Sequence, residues 1–121
     1  MIVGTGIDIV EFNRMEAVME RQPRFITRIL TPGERDVMEA LSSRRQTEFL
    51  AGRFAVKEAL AKANGSGVGA SISWKDVEVL NAKSGAPVAV CSRFDDSIHI
   101  HASISHSRSS AVGQVILEKA D

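Results

Sequence analysis

The run Ser43-Arg44-Arg45-Gln46-Thr47-Glu48-Phe49-Leu50-Ala51-Gly52-Arg53-Phe54-Ala55-Val56-Lys57-Glu58-Ala59-Leu60-Ala61-Lys62-Ala63 decides the fold, and Asn64-Gly65 closes it. Ser43 with Gln46 reads as its start, and the glycine after Asn64 supplies the stop. It is the longest helical pattern in the chain, and its alanine content implies that something large packs closely against it. Phe54, Glu58 and Lys62 stand four residues apart and share one face of that helix. A carboxylate and an ammonium set among Phe and Ala suit the lining of a cleft. The alternative is a solvated ion pair worth a few tenths of a kcal/mol.

Working toward the N-terminus, Thr31-Pro32-Gly33-Glu34 reads as a second helix start. It has a Thr cap, a Pro at the first helical position and a Glu three residues after the cap. That helix is expected to run to about Leu41. Phe25, Ile26, Ile29 and Leu30 suggest a further turn or two. Asn13 can cap a helix with Glu16 reaching back to it, Phe12, Met15, Val18 and Met19 form its stripe, and Pro23 ends it. Residues 2–10 alternate as a strand, with Val3, Ile7 and Ile9 on one face and Asp8 on the other.

Toward the C-terminus the period changes from helical to alternating. Trp74 to Leu80 and Val88 to Ser92 read as strands around a turn region from Asn81 to Pro87. Ile98, Ile100, Ala102 and Ile104 alternate with His99, His101, Ser103 and Ser105, and Ala111 to Leu117 is the last strand. One strand, then helices, then several strands describe an α+β domain over residues 1–121, with an antiparallel sheet packed on the long helix.

The composition excludes several classes of function. Fifteen basic residues balance fifteen acidic ones, so no global field attracts nucleic acid, and an anionic ligand must meet a local cluster. The single Cys91 excludes an intrachain disulfide and a Cys-based zinc knuckle. No stretch approaches the roughly 20 apolar residues of a membrane helix. Asp8 comes too early for a secretory leader, which makes the cytoplasm the expected location.

Other constellations carry weaker chemistry. Strands are depleted in Asp, so Asp8 is either the solvated outer face of an edge strand or half of a magnesium site completed by Glu58. The run Gly65-Ser66-Gly67-Val68-Gly69 follows a helix and lacks the Lys-Ser/Thr of a P-loop, so it reads as a connection. His99, His101 and His106 lack the companions of a zinc site. His106 to Ser110 offers donors suited to phosphate oxygens, or a plain polar turn. Arg14, Arg21, Arg24 and Arg28 form either a docking patch for an acidic partner or a solvated helix face.

Two segments resemble the signatures of 4′-phosphopantetheinyl transferases. Gly6-Ile7-Asp8-Ile9-Val10-Glu11 looks like the G-x-D-x-x-E element. Arg53-Phe54-Ala55-Val56-Lys57-Glu58-Ala59-Leu60-Ala61-Lys62-Ala63 contains the [F/W]-x-x-K-E-A-x-x-K element, in the family's order. Length, Ser84-Gly85-Ala86-Pro87 and Ser103-Ile104-Ser105-His106-Ser107 resemble the short branch of that family. The resemblance implies transfer of the 4′-phosphopantetheine arm of coenzyme A to a serine of an apo acyl carrier protein. Adenosine 3′,5′-bisphosphate is released, and the holo carrier protein serves fatty acid synthesis.

The resemblance also implies residue roles. Asp8 and Glu58 match the family's Mg²⁺ ligands, and Lys62 matches the lysine near the reacting phosphate. Phe54, Glu58, Gly85, Pro87, His106 and Ser107 fall where the family binds coenzyme A. Arg14, Arg21, Arg24, Phe25 and Arg28 fall in the segment presented to the carrier protein. Short members form trimers with sites between subunits, so a homotrimer is expected. Glu58, a metal-bound water and substrate phosphate all remain open as acceptors of the serine proton. Hydrolysis of a nucleotide pyrophosphate and a coenzyme A binding module are the competing functions.

Overall fold

The computed structural model describes residues 1–65 and 71–121; the glycine run lies, beyond Gly65, outside them. In chain order come β1 (Ile2–Glu11), α1 (Phe12–Arg21), α2 (Phe25–Ile29), α3 (Pro32–Glu39) and α4 (Ser43–Ala63). A 3₁₀ turn (Trp74–Asp76), β2 (Val77–Asn81), β3 (Pro87–Cys91), β4 (Ile98–His106) and β5 (Ser110–Lys119) follow. The expected α+β architecture is present. The strands β1, β5 and β4 form an antiparallel sheet in that order, β2 and β3 form a separate hairpin, and α4 packs across β1 and β5.

Helix α4 is the axis of the core. Its first half meets α1, α2 and α3 around Phe12, Met15, Ile29, Leu30, Phe49 and Leu50. Its second half meets the hairpin and β5 around Val56, Leu60, Val77, Val79 and Val115. From Thr47 to Ala63 only Glu48, Phe54, Glu58 and Lys62 escape burial. A helix buried nearly all round needs small side chains wherever backbone approaches it, which accounts for Ala55, Ala59 and Ala63.

Several local expectations change. Thr31 and Glu34 do form the capping box, with Glu34 N donating to Thr31 Oγ1 at 3.2 Å and Thr31 N to Glu34 Oε1 at 2.8 Å. Asn13 does not cap α1. The helix starts at Phe12, whose N–H donates to Ser109 O at 2.8 Å, so the β4–β5 loop satisfies that end. Helix α4 starts after Ser42, and Gln46 Nε2 donates instead to Met38 O at 3.2 Å. Trp74 begins a 3₁₀ turn and not a strand, because Ser73 and Asp76 cap each other there.

The largest surprise concerns β1. Its apolar residues up to Ile9 face outward, with Val3 48%, Ile7 59% and Ile9 65% exposed, while Gly4, Gly6 and Asp8 face α4 and Val10 alone joins the core. A Cβ on Gly4 would stand 1.9 Å from Ala63 O, and one on Gly6 1.9 Å from Ala59 O. Gly113 of β5, paired with Asp8, would place a Cβ 2.6 Å from Ala55 C and Val56 N. Backbone therefore lies against backbone along this seam. Only residues without a side chain fit, and the first side chain beyond them is Asp8.

Candidate active site

Because β1 runs so close to α4, Asp8 emerges beside the solvent-reaching stripe of Phe54, Glu58 and Lys62. Lys62 Nζ stands 3.0 Å from Asp8 Oδ1 and donates to Ile7 O, also at 3.0 Å. Asp8 is thus not on the solvated outer face of the strand, and its side chain is only 20% exposed. Nor does the surface ion pair between Glu58 and Lys62 form, since Lys62 reaches across to the strand. Glu58 is pushed above its ordinary carboxylate range, first by burial and then by the Asp8 charge, with Lys62 offsetting part of this. Two carboxylates crowd together here with a single ammonium to serve them.

Asp8 and Glu58 open into a cleft of about 410 Å³. Its apolar wall is Ile9, Val10, Met15, Val18, Phe25 and Phe54, and Arg14 and Glu11 complete the lining. Phe54 stacks on Trp74 with ring centroids 4.9 Å apart and tilts against Phe25 at 5.9 Å. Arg14 lines the cleft, whereas Arg21, Arg24 and Arg28 are exposed along α1 and α2. Phe25 is half-buried beneath them. Of this segment, Arg14 and Phe25 reach the cleft that holds the carboxylates, and Arg21, Arg24 and Arg28 do not line it.

The residues expected at coenzyme A do not gather in one place within the chain. Phe54 and Glu58 belong to the cleft just described. Gly85, Pro87 and His106 line a second cleft of about 330 Å³, together with Arg45, Arg53 and Asn81. Gly85 turns the β2–β3 connection at φ +91°, a conformation that favours glycine, and its N–H donates to Ala82 O at 2.8 Å. Ser107 lines neither cleft. Its hydroxyl accepts from the N–H groups of Ser109 (3.2 Å) and Ser110 (3.3 Å), so it holds its own turn.

The sequence motifs give Lys57 no role at the site and give Glu34 only the helix cap. Lys57 Nζ and Glu34 Oε1 pair at 2.7 Å, with the side chains 1% and 0% exposed. Burial draws the Lys57 ammonium below its ordinary range, and Glu34 opposes that shift. Beside them, Arg53 donates to Val79 O at 3.1 Å and Asn81 Oδ1 at 3.0 Å, and lies over the Phe49 ring. The signal was available in part, since Lys57 is about 100° around the helix from Glu58 and points to the buried side. Glu11, Met15 and Val18 were likewise unassigned; Glu11 is the last residue of the G-x-D-x-x-E element.

Residues 4–116 match the 4′-phosphopantetheinyl transferase superfamily. The holo-[acyl-carrier-protein] synthase of Shouchella clausii is 52% identical over 118 residues, covering 98% of this chain and 99% of that protein. That of Anoxybacillus flavithermus is 52% identical over 119 residues, covering 98% of each. A crystal structure of the Bacillus anthracis holo-(acyl-carrier-protein) synthase, in complex with CoA (3′,5′-ADP), superposes with a TM-score of 0.91 at 48% identity, covering 99% of both chains. The coenzyme A complex of the Helicobacter pylori enzyme gives 0.83 at 31% identity, covering 94% of this chain and 99% of that one. The chain belongs to the 4′-phosphopantetheinyl transferase superfamily and, within it, to the holo-[acyl-carrier-protein] synthases.

Proposed function

We propose that this chain transfers 4′-phosphopantetheine from coenzyme A to a serine hydroxyl of an apo acyl carrier protein, releasing adenosine 3′,5′-bisphosphate. The observation that carries this reading is the Asp8–Glu58 pair, with Lys62, at the head of an apolar cleft that Arg14 also lines, next to the exposed Arg21, Arg24 and Arg28 of the same segment. The cleft takes a flexible apolar arm, and the basic surface takes an acidic protein helix.

The donor set fits Mg²⁺. Hard carboxylate oxygens suit it, and Mg²⁺ usually takes one or two of them together with substrate phosphates. Among the described residues no group of three or more His, Cys, Asp or Glu side chains forms a closed metal site. Burial first and the Asp8 charge second raise Glu58, and a shared cation would offset the second. Asp8 and Glu58 would hold the ion, whose charge would offset the charge that develops on the pyrophosphate oxygens. Lys62 supplies a movable point charge for a phosphate oxygen, at the cost of its present bonds to Asp8 and Ile7. Glu58, whose proton affinity burial raises in the metal-free protein, is one of the three candidates to take the serine proton, beside a metal-bound water and substrate phosphate.

A homotrimer accounts for two further facts. The outward apolar face of β1 needs a cover, and the coenzyme A residues divide between two clefts. If the second cleft of one copy meets the first cleft of its neighbour, Gly85, Pro87 and His106 join Phe54 and Glu58 in one site. The holo carrier protein would serve fatty acid synthesis in the cytoplasm. No described helix is long and apolar enough to cross a membrane.

The test is intact-protein mass measurement of an apo acyl carrier protein incubated with the enzyme, coenzyme A and Mg²⁺. A phosphopantetheine-sized gain is expected, absent with EDTA and in Asp8→Ala and Glu58→Ala. Coenzyme A turnover without modified carrier protein would instead indicate a hydrolase.

A further inference from the structure

Helix α2 is only five residues long, yet it bears Phe25 and Arg28 and follows directly on Arg24. A helix this short has no stability of its own, so its position comes from tertiary ties. Its last carbonyl, Ile29 O, accepts from Lys57 Nζ at 2.7 Å. The same ammonium donates to Glu34 Oε1 at 2.7 Å and to Trp74 O at 3.2 Å. Three chain segments are thus held by one buried cation on α4. Glu34 is fixed in turn, with Oε2 accepting from Val79 N at 2.7 Å and Oε1 from Thr31 N at 2.8 Å.

A buried ion pair is weak evidence for stability, because an apolar pair of the same volume often serves as well or better. What the pair fixes here is geometry. Phe25 and Trp74 flank Phe54, and each belongs to a segment whose carbonyl Lys57 holds. Phe54 lies one helical turn before Glu58. The Lys57 ammonium thus ties the segment of Phe25 and Arg28 to the helix that carries Glu58. With a side chain 1% exposed, Lys57 itself touches no substrate.

We propose that the Lys57–Glu34 pair is a positioning device that sets the α2 docking segment at the right reach from Glu58, and so governs recognition of the acyl carrier protein. The inference rests on the transferase reading above and assigns a role to the lysine beside Glu58.

The experiment measures initial rates of transfer to an apo acyl carrier protein, varying that protein and coenzyme A separately, for the wild type, Lys57→Met and Lys57→Arg. Circular dichroism selects a temperature at which each variant is folded. Lys57→Met is expected to raise KM for the carrier protein on the order of tenfold, leaving KM for coenzyme A within about twofold. A purely structural role would lower the active fraction, and hence kcat, without changing either KM. Should Lys57→Met fail to fold, Lys57→Arg decides. It keeps the charge and the Glu34 pair, but its planar fork cannot serve three acceptors grouped around a compact ammonium. A rise in carrier-protein KM of at least about threefold is expected there. An unchanged carrier-protein KM in the folded variant, or an equal rise in both KM values, overturns the proposal. A wild type that transfers nothing would overturn the transferase reading instead.

Discussion

Gly6→Ala tests whether the glycine seam places Asp8. The added Cβ would lie 1.9 Å from Ala59 O, 2.8 Å from Ala59 C and 2.9 Å from Ala63 N. Ordinary carbon contacts begin near 3.5 Å, so the strand must retreat by more than about 1 Å. The obstacles are helix backbone inside the core, which cannot rotate aside as a side chain would. Overpacking of this kind costs about 1–3 kcal/mol, with a few tenths returned because Ala restricts the unfolded chain. A domain commonly has about 5–15 kcal/mol of stability, so the variant stays folded, with a melting temperature lower by roughly 4–10 °C. Asp8 is two residues away on the same face and shifts with the strand. A displacement near 1 Å in a catalytic group costs on the order of 100-fold in rate.

The assay is the initial rate of carrier-protein modification by mass, across a Mg²⁺ titration, beside a thermal melt followed by circular dichroism. Gly33→Ala is the control, because its nearest obstacle is the Glu78 side-chain carboxylate at 2.9 Å, the end of a flexible side chain that can shift by giving up its hydrogen bond from Thr31 Oγ1. It should retain nearly full activity. Gly6→Ala with wild-type rate, Mg²⁺ dependence and melting temperature would refute the claim that close approach of β1 to α4 builds the site. Loss of stability at undiminished rate would show that Asp8 does not depend on the seam.

Three further outcomes follow from the same geometry. Glu58 is raised above its ordinary value of 4.5, so between that value and its folded-state value the folded chain binds more protons than the unfolded one. Stability therefore falls as pH rises through that window, and Glu58→Gln should melt above the metal-free wild type at neutral pH, with the gap closing in acid. Mg²⁺ added at neutral pH should raise the wild type's melting temperature and leave that variant's unchanged. Glu34→Ala strands the Lys57 ammonium and the Val79 N–H and should cost about 3–5 kcal/mol in urea unfolding. A loss under about 1 kcal/mol would mean that water or rearrangement serves these groups. Ile9→Arg on the outer face should yield a folded monomer in sedimentation, since an exposed site in the protomer tolerates the change within about 0.5 kcal/mol. An intact trimer in that variant would place the subunit contact elsewhere.

The sequence by itself determined the long helix, the Thr31–Glu34 capping box, the antiparallel strands and the two signature segments that carry Asp8, Glu58 and Lys62. These are local matters, since capping, periodicity and spacing act over a few residues. Only the tertiary structure decided which face of β1 turns inward. Alternation shows that Val3, Ile7 and Ile9 share a face, but the approach of α4, about fifty residues away in the chain, gives the inner side to glycines and Asp8. Lys57 shows the same limit. Lys57 and Glu58 are adjacent in sequence and both charged, yet one points into the core at Glu34 and the other into a cleft. Their roles depend on partners brought from α2, α3 and the turn at Trp74, whose positions are settled only when the core around α4 closes.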